Sequence, residues 1–198
     1  NKEIKDKIIK SSIIEREVRY KINKEIKDKI IKSSYQIEEA TKCVDLCMGK
    51  YGFDSLEKLG YIIRLRHKSG KCIIESKKRL DNNSWSEAQL TIPTMKDGYA
   101  FLKNIGLQPY LYINRTREIR KIDIAKVYID DLEILGTFVE FELEEGYEFK
   151  DLEKYLSEIG IENNPEKLYG DIFKERTKEP EFNEILNNAI NDFLMKNK

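Results

Sequence analysis

Charged side chains of like sign recur two residues apart in several segments of this sequence. Neighbouring residues of a β-strand point to opposite faces, so residues two apart share a face and lie about 7 Å from one another along the chain. Paired carboxylates suit hard cations such as Mg²⁺, and the planar fork of arginine suits phosphate oxygens. Acids and bases gathered in one cavity would therefore bind a metal-bound polyphosphate. The pairs are Glu15 and Glu17, Glu140 and Glu142, Arg64 and Arg66, and Arg115 and Arg117.

The first of these segments shows how the charged faces would come to lie inside a barrel. In residues 13–22 (IIEREVRYKI) apolar side chains occupy one face, apart from Arg16, and charged side chains occupy the other. One such strand alone is typical of a sheet with a solvated face. Several of them, closed into a barrel with helices on the apolar side, would point their charges into the lumen, where burial requires pairing or a ligand. The predicted lumen residues are Glu15, Glu17, Arg19, Lys21, Arg64, Arg66, Lys77, Arg115, Arg117, Asp130, Glu140 and Glu142.

The overall charge is balanced although charged residues are abundant. The 198 residues include 36 basic and 36 acidic side chains and one histidine, and the formal net charge is zero. Charged residues make up 36% of the chain, well above the usual ~25%. Because basic residues alternate with acids instead of forming a continuous stripe, the pattern argues against nucleic acid as a partner. An RNA 5′-triphosphate end is the exception, since only its phosphates need enter the lumen.

The residues that most often carry catalysis or metals are scarce. Cys43, Cys47 and Cys72 lack zinc-type spacing and are predicted to be reduced thiols. The single histidine, His67, argues against a histidine triad or a histidine-rich metal site. A metal in this protein would be held by oxygen, which predicts Mg²⁺ or Mn²⁺.

Hydropathy sets the expected location. No apolar run approaches the ~20 residues that span a bilayer, and the first residues are rich in Lys and Glu, unlike a signal peptide. We therefore expect no membrane association and a cytoplasmic location.

One twelve-residue segment occurs twice. NKEIKDKIIKSS occupies residues 1–12 and recurs identically at 23–34, with a helical stripe formed in the second copy by Ile26, Ile30 and Ile31. Since only one copy can fill the native docking site of such a helix, we expect residues 23–34 to fill it. Residues 1–12 are then predicted to be an extra N-terminal helix that is swapped, packed on a neighbouring molecule or loose. A homodimer is one of the alternatives.

The remaining pattern predicts the fold class. Hydrophobic alternation predicts strands at 13–22, 35–48, 61–68, 71–79, 84–92, 110–121, 124–132 and 137–145. Helical periodicity predicts helices at 24–32, 94–105, 149–159, 166–175 and 181–196. Eight strands, several of them adjacent in sequence, favour an α+β fold: a mostly antiparallel β-barrel, closed or nearly closed into a tunnel, with helices packed outside. No linker-like composition divides residues 13–198, which predicts a single domain.

Several motifs, in this order, resemble those of the CYTH, or triphosphate tunnel metalloenzyme, superfamily. The most specific is IDDLEILGTFVEFE at 129–142, which is similar to the family block L-D-x-V-x-x-L-G-x-F-x-E-x-E. The others are EREVR at 15–19 (E-x-E-x-K in the family), IIRLR at 62–66 (L-R-x-R), IIESK at 73–77 (a strand that ends in a phosphate-binding Lys), RTR at 115–117 (K-x-R) and KLYGDIF at 167–173 (S-Y-x-x-L-L).

The resemblance implies an eight-stranded antiparallel tunnel that binds a triphosphate-containing small molecule with Mg²⁺ or Mn²⁺. The implied metal ligands are Glu15, Glu17, Glu140 and Glu142, with Asp130 as a further ligand. The implied substrate-binding residues are Arg19, Arg64, Arg66, Lys77, Arg115, Arg117 and Tyr169. Known family activities include inorganic triphosphatase, thiamine triphosphatase, RNA 5′-triphosphatase and class IV adenylate cyclase.

The chain departs from the family pattern at two places. Arg19 replaces the signature lysine, so Lys21, on the same strand face, is predicted to substitute for it; catalytic roles fall to Lys21, Arg66 and Lys77. Trp85 stands where the family often has arginine, and it is predicted either to pack in the core or to stack on the organic end of a substrate.

Four functional interpretations follow from these observations. Metal-assisted hydrolysis of tripolyphosphate, thiamine triphosphate or a nucleoside triphosphate is favoured. The same site would make cyclic AMP if it held ATP with its 3′-hydroxyl facing the α-phosphorus. A non-catalytic polyphosphate-binding module would keep the charges without turnover. An open sheet with solvated charged faces would instead serve protein binding.

Overall fold

The strands of this protein are defined by a computed structural model that describes residues 13–81, 83–162 and 164–196. Each predicted strand is present, with ends that differ from the prediction by at most two residues. The strands are β1 Ile13–Lys21, β2 Tyr35–Gly49, β3 Tyr61–Lys68, β4 Lys71–Arg79, β5 Ser84–Ile92, β6 Gln108–Ile122, β7 Ala125–Leu132 and β8 Gly136–Leu143.

The strands close into one antiparallel barrel. Their order around the barrel is β1-β5-β4-β3-β2-β6-β7-β8, and β8 pairs back to β1. β1 serves as the closing strand, because residues 13–16 pair with β5 whereas residues 17–21 pair with β8. The predicted fold class is therefore confirmed, and the interpretation as an open sheet with solvated faces is wrong.

The helices lie outside the barrel and match the predicted ones closely. They are α1 Lys24–Ser33, α2 Ser55–Leu59, α3 Met95–Asn104, α4 Phe149–Ile159, α5 Tyr169–Arg176 and α6 Pro180–Lys196. A 3₁₀ turn at Gly52–Asp54 leads into α2, and both elements were missed by the prediction. α5 begins later than predicted because the residues before it run alongside β1, where the Glu166 amide donates to the Arg19 carbonyl at 2.7 Å. None of the helices in the described ranges is long and apolar enough to cross a membrane.

The apolar core lies between the outer face of the barrel and the helices. Val139 and Phe141 of β8 are fully buried there and belong to the same cluster as Leu152 and Leu156 of α4. A second cluster joins β2, β3 and β6 to α3, α5 and α6. Because the helices cover the apolar faces of most strands, although Leu90 of β5 stays exposed, the opposite, charged faces point into the lumen.

The second copy of the repeated segment forms α1. The Asn23 side chain caps the helix by accepting from the Ile26 amide at 2.9 Å, Ile30 is fully buried, and Ile26 is half-buried. Ile31, the third residue of the predicted stripe, is exposed. The first copy, residues 1–12, lies outside the described residues, so its predicted helix stays a prediction.

Candidate active site in the barrel lumen

The lumen holds a cavity of about 800 Å³ whose walls are charged. All but two of the predicted site residues line it. They are Glu15, Glu17, Arg19, Arg64, Arg66, Lys77, Arg115, Arg117, Glu140, Glu142 and Tyr169. These residues come from strands that are far apart in sequence, so the closure of the barrel is what brings them together.

Lys21 is the first exception. It lies at the end of β1, is exposed, and places its Nζ atom 5.8 Å from the centre of the Phe138 ring. Glu15, Glu17 and Arg19 share its strand face but lie further along the lumen. Lys21 is therefore not among the residues that line the cavity, and its catalytic role stays a prediction.

Asp130 is the second exception, because it lies behind the cavity wall. Its side chain is fully buried, and its two oxygens accept from Nε and Nη2 of Arg117 at 2.6 Å each. The Tyr169 hydroxyl also donates to it, at 3.0 Å. Burial alone would raise the pKa of Asp130, but Arg117 and Arg115 lower it. With its oxygens already used, Asp130 orients Arg117 and is poorly placed to be the predicted metal ligand.

Four arginines form one side of the cavity, which we call the guanidinium wall: Arg64, Arg66, Arg115 and Arg117. Two fully buried carboxylates hold Arg66, since Asp45 accepts from its Nε at 2.7 Å and Glu75 from its Nη1 at 2.7 Å. Arg64 donates to the same Glu75. The planes of these guanidinium groups are therefore set before any anion binds.

Arg115 retains donors that the protein does not use. Its Nη2 atom lies 2.9 Å from Asp45 and its Nε atom lies 3.5 Å from Asp130, but Nε and Nη1 are buried and neither donates a hydrogen bond to another described residue. Buried N–H groups without acceptors are costly. Oxygen atoms of an anion in the cavity would satisfy them.

Opposite the wall, three carboxylates surround one ammonium group. The Lys77 Nζ atom lies 2.7 Å from Glu15, 3.2 Å from Glu17 and 3.6 Å from Glu87, and we call these three acids the carboxylate cluster. Burial, with a further contribution from Glu87, raises the pKa of Glu15 to about 7 in spite of Lys77. Burial and Glu140 likewise raise the pKa of Glu17. If fully ionised, the three acids would carry more negative charge than Lys77 neutralises, and the raised pKa values of Glu15 and Glu17 favour protonation, which relieves that excess.

The second predicted pair of acidic ligands, Glu140 and Glu142, continues this acidic side. Glu140 forms an ion pair with Arg19, whose guanidinium carbon lies 4.0 Å from the centre of the Tyr169 ring. Burial opposes ionisation of Glu140, but Arg19 and Arg117 hold its pKa below the usual value. Glu142 accepts from the Tyr128 hydroxyl at 2.6 Å and lies 3.0 Å from the Lys126 ammonium.

The predicted site did not include four residues that the structure places in or behind its walls: Asp45, Glu75, Glu87 and Tyr128. Asp45 lies on β2 between Cys43 and Cys47, and the alternation of CVDLC places all three on the lumen face. In the same way, Glu87 shares a face of β5 with Trp85, and Tyr128 shares a face of β7 with Asp130. Alternation alone would have found them, but none belongs to a pair of like-charged residues two positions apart, which is the pattern on which the predicted site was built.

The surroundings of Trp85 and of the cysteines indicate structural roles. Trp85 is only 2% exposed, with Lys77 and Arg79 near its ring, which favours the packing interpretation. All three cysteines are free, and burial raises the pKa of Cys47 to about 12, so that thiol stays protonated.

These shifts predict a stability maximum in pH for the metal-free protein. Asp45, Glu75 and Asp130 have pKa values lowered by the arginines against the effect of burial, so the stability they add is lost as the pH falls below about 4.5. Glu15 has the opposite sign, because its raised pKa means that stability is lost as the pH rises through about 7. We expect the free energy of unfolding to be highest near about pH 4.5 to 5 and to fall as the pH rises from there to about 7.

Urea denaturation from pH 3 to 9 in EDTA would measure this profile. Glu15→Gln should remove much of the fall between about pH 4.5 and 7 and leave the acid side unchanged. An unaltered alkaline side in that variant would contradict the described surroundings of Glu15.

Comparison with known proteins agrees with this architecture. The family model described as the CYTH domain matches residues 14–167. No curated protein sequence matches the chain at a significant level. Among solved structures, the PH1012 protein of Pyrococcus horikoshii OT3 is similar, with a TM-score of 0.70 and 20% identity over 79% of this chain and 98% of that one.

Two further structures carry functional descriptions of their own. A candidate adenylate cyclase of Vibrio parahaemolyticus has a TM-score of 0.66 and 17% identity, over 83% of this chain and 99% of that one. A third structure is HpAC1, a candidate adenylyl cyclase of Hippeastrum that is described as having a dominant triphosphatase activity. It has a TM-score of 0.55 and 16% identity, over 75% of this chain and 88% of that one. At such identities these likenesses concern the fold. The family match covers well over half of the sequence, and this chain therefore belongs to the CYTH domain family.

Proposed function

We propose that this protein hydrolyses a triphosphate with Mg²⁺ or Mn²⁺ bound in the barrel lumen. The observation that carries the proposal is the guanidinium wall facing the carboxylate cluster across one cavity. Membership of the CYTH family supports it. So does the triphosphatase activity described for the Hippeastrum protein.

The guanidinium wall would bind the phosphates and stabilise the transition state. Phosphoryl transfer spreads negative charge over the equatorial phosphate oxygens, and cations fixed beforehand stabilise that charge without reorganising. Asp45, Glu75 and Asp130 fix the wall from behind. The Nη1 group of Arg115, which donates to no described residue, would donate to a phosphate oxygen without giving up an existing hydrogen bond.

The acids on the opposite side fit a hard divalent cation. Glu15, Glu17, Glu140 and Glu142 would supply the protein ligands, and oxygen donors of this kind suit Mg²⁺ and Mn²⁺. In the described part of the chain no three acidic, histidine or cysteine side chains are arranged to hold a metal by themselves; the acids are paired with cations. Magnesium commonly completes its ligand shell with substrate phosphates. Such an ion supplies charge neutralisation and activation of water when bound.

Phosphate release from tripolyphosphate, ATP and thiamine triphosphate would test this function. We expect release to require Mg²⁺ or Mn²⁺, to stop on chelation with EDTA, and to return when the metal is restored. Glu17→Gln should weaken metal binding and so raise the Mg²⁺ concentration needed for half-maximal release. Glu184→Gln, at an exposed position, should leave that concentration unchanged. Absence of metal-dependent release from all three substrates would favour a non-catalytic binding module.

Cyclisation of ATP is the second candidate. The cavity of about 800 Å³ has room beyond a triphosphate group, and one of its ends is apolar. Both features would accommodate a nucleoside. Cyclic AMP and pyrophosphate formed in place of orthophosphate would show that cyclisation dominates.

A further inference from the structure

One end of the cavity is lined by apolar side chains. We call it the apolar chamber and define it by Phe53, Leu56, Ile62 and Tyr110. The rings of Phe53 and Tyr110 lie 5.2 Å apart at 73°, an edge-to-face arrangement. Each of the four side chains is only half-buried, so apolar surface remains accessible within a site that is otherwise ionic.

Close packing of the segment between β2 and β3 builds this chamber. A Cβ atom at Gly49 would lie 3.0 Å from Cε1 of Tyr110 and would clash with the Ser55 hydroxyl, so only glycine lets the segment fold back so tightly. The Ser55 hydroxyl in turn accepts from the Tyr51 amide at 3.2 Å. An ion pair of 2.7 Å between Lys174 and Asp54 ties the segment to α5. The chamber is thus a defined part of the fold.

The chamber is continuous with the guanidinium wall. Ile62 and Arg64 share the lumen face of β3, and Cys47, opposite Arg64 in the register, also lines the cavity. A ligand with its phosphates on the wall would therefore place the group attached to them in the chamber. Arg64 lies next to the chamber, so its positive charge would repel a positively charged ring but not a neutral one. The Tyr110 hydroxyl, which is hydrogen-bonded with Cys47, adds a polar group to the chamber, and burial raises its pKa.

We propose that the apolar chamber binds the neutral aromatic base of a nucleoside triphosphate. This inference rests on the proposed function, because it takes the triphosphate to lie on the guanidinium wall. The volume of about 800 Å³ falls within the range of roughly 300–1,000 Å³ that is typical of pockets for ligands of this size. Aromatic side chains provide stacking surface that inorganic tripolyphosphate cannot use.

Binding measured by calorimetry in EDTA tests the inference without requiring turnover. We expect Phe53→Ala to weaken ATP binding roughly tenfold, the effect of losing one aromatic stacking partner, and to change tripolyphosphate binding less than about twofold. Phe101→Ala, at an exposed phenylalanine on α3, is the matched control and should change neither. If Phe53→Ala fails to fold, Ile62→Ala removes apolar surface from the same chamber and should show the same selectivity.

The outcomes separate this inference from the proposed function. Equal weakening of ATP and tripolyphosphate, no weakening of either, or no measurable ATP binding would overturn the chamber assignment. A larger loss for thiamine triphosphate than for ATP would overturn the choice of a neutral base. Selective loss of ATP binding in a protein that releases no phosphate with Mg²⁺ would support the chamber and refute the hydrolytic function.

Discussion

Arg66→Ala should lower kcat/KM for the triphosphate substrate by at least about a hundredfold, because one preorganised donor to a developing charge contributes roughly 10²–10³ in rate. Arg66 is buried, and Asp45 and Glu75 hold its guanidinium group at 2.7 Å from both sides. Its position is therefore fixed before substrate arrives, so no other side chain can take its place without rearranging both carboxylates.

Steady-state phosphate release would measure the effect, with circular dichroism to confirm that the variant is folded. Arg66→Lys keeps the charge but loses the planar fork, so it should recover only part of the rate. Arg16→Ala, on the outer face of β1, should leave the rate unchanged. A fully folded Arg66→Ala protein with the parental rate would show that the guanidinium wall takes no part in turnover.

Asp45→Ala should destabilise the protein by about 3–5 kcal/mol, the usual cost of removing one partner from a buried ion pair. Asp45 is fully buried and lies 2.7 Å from Arg66, 2.9 Å from Arg115 and 3.8 Å from Arg64. Without it, three guanidinium groups share the lumen with less compensation. Native domains are stable by only about 5–15 kcal/mol, so the loss is a large fraction of the total.

Urea denaturation at pH 7 would measure this change. Asp45→Asn, which keeps an oxygen acceptor but loses the charge, should fall between the parent and Asp45→Ala. Asp123→Ala, in the exposed turn between β6 and β7, should change the free energy of unfolding by less than about 0.5 kcal/mol. A change that small for Asp45→Ala would mean that the arginines do not depend on this carboxylate. Polyphosphate added to Asp45→Ala should recover part of the stability, because anions would replace the lost charge.

The sequence by itself determined the strands, their apolar and charged faces, and the main charged pairs. Strand side chains alternate with a period of two, so the face shared by Glu15 and Glu17, or by Arg115 and Arg117, follows from numbering alone. Most of the helices that cover the apolar faces could be predicted from the hydrophobic periodicity of their own segments. Once both were placed, the charged faces could only turn inward, and the lumen confirms this for most of the predicted residues.

The tertiary structure decided where each charge lies along the lumen and which partner it meets. Alternation states which face a side chain occupies, but the register between strands sets its depth, and register depends on contacts between distant segments. Lys21 shares a face with Glu17 yet lies at the exposed end of β1, and Asp130 faces inward yet lies behind Arg117. The role of Asp45 beneath the arginines and the apolar chamber under Phe53 likewise follow from packing between residues far apart in sequence, which no local pattern records.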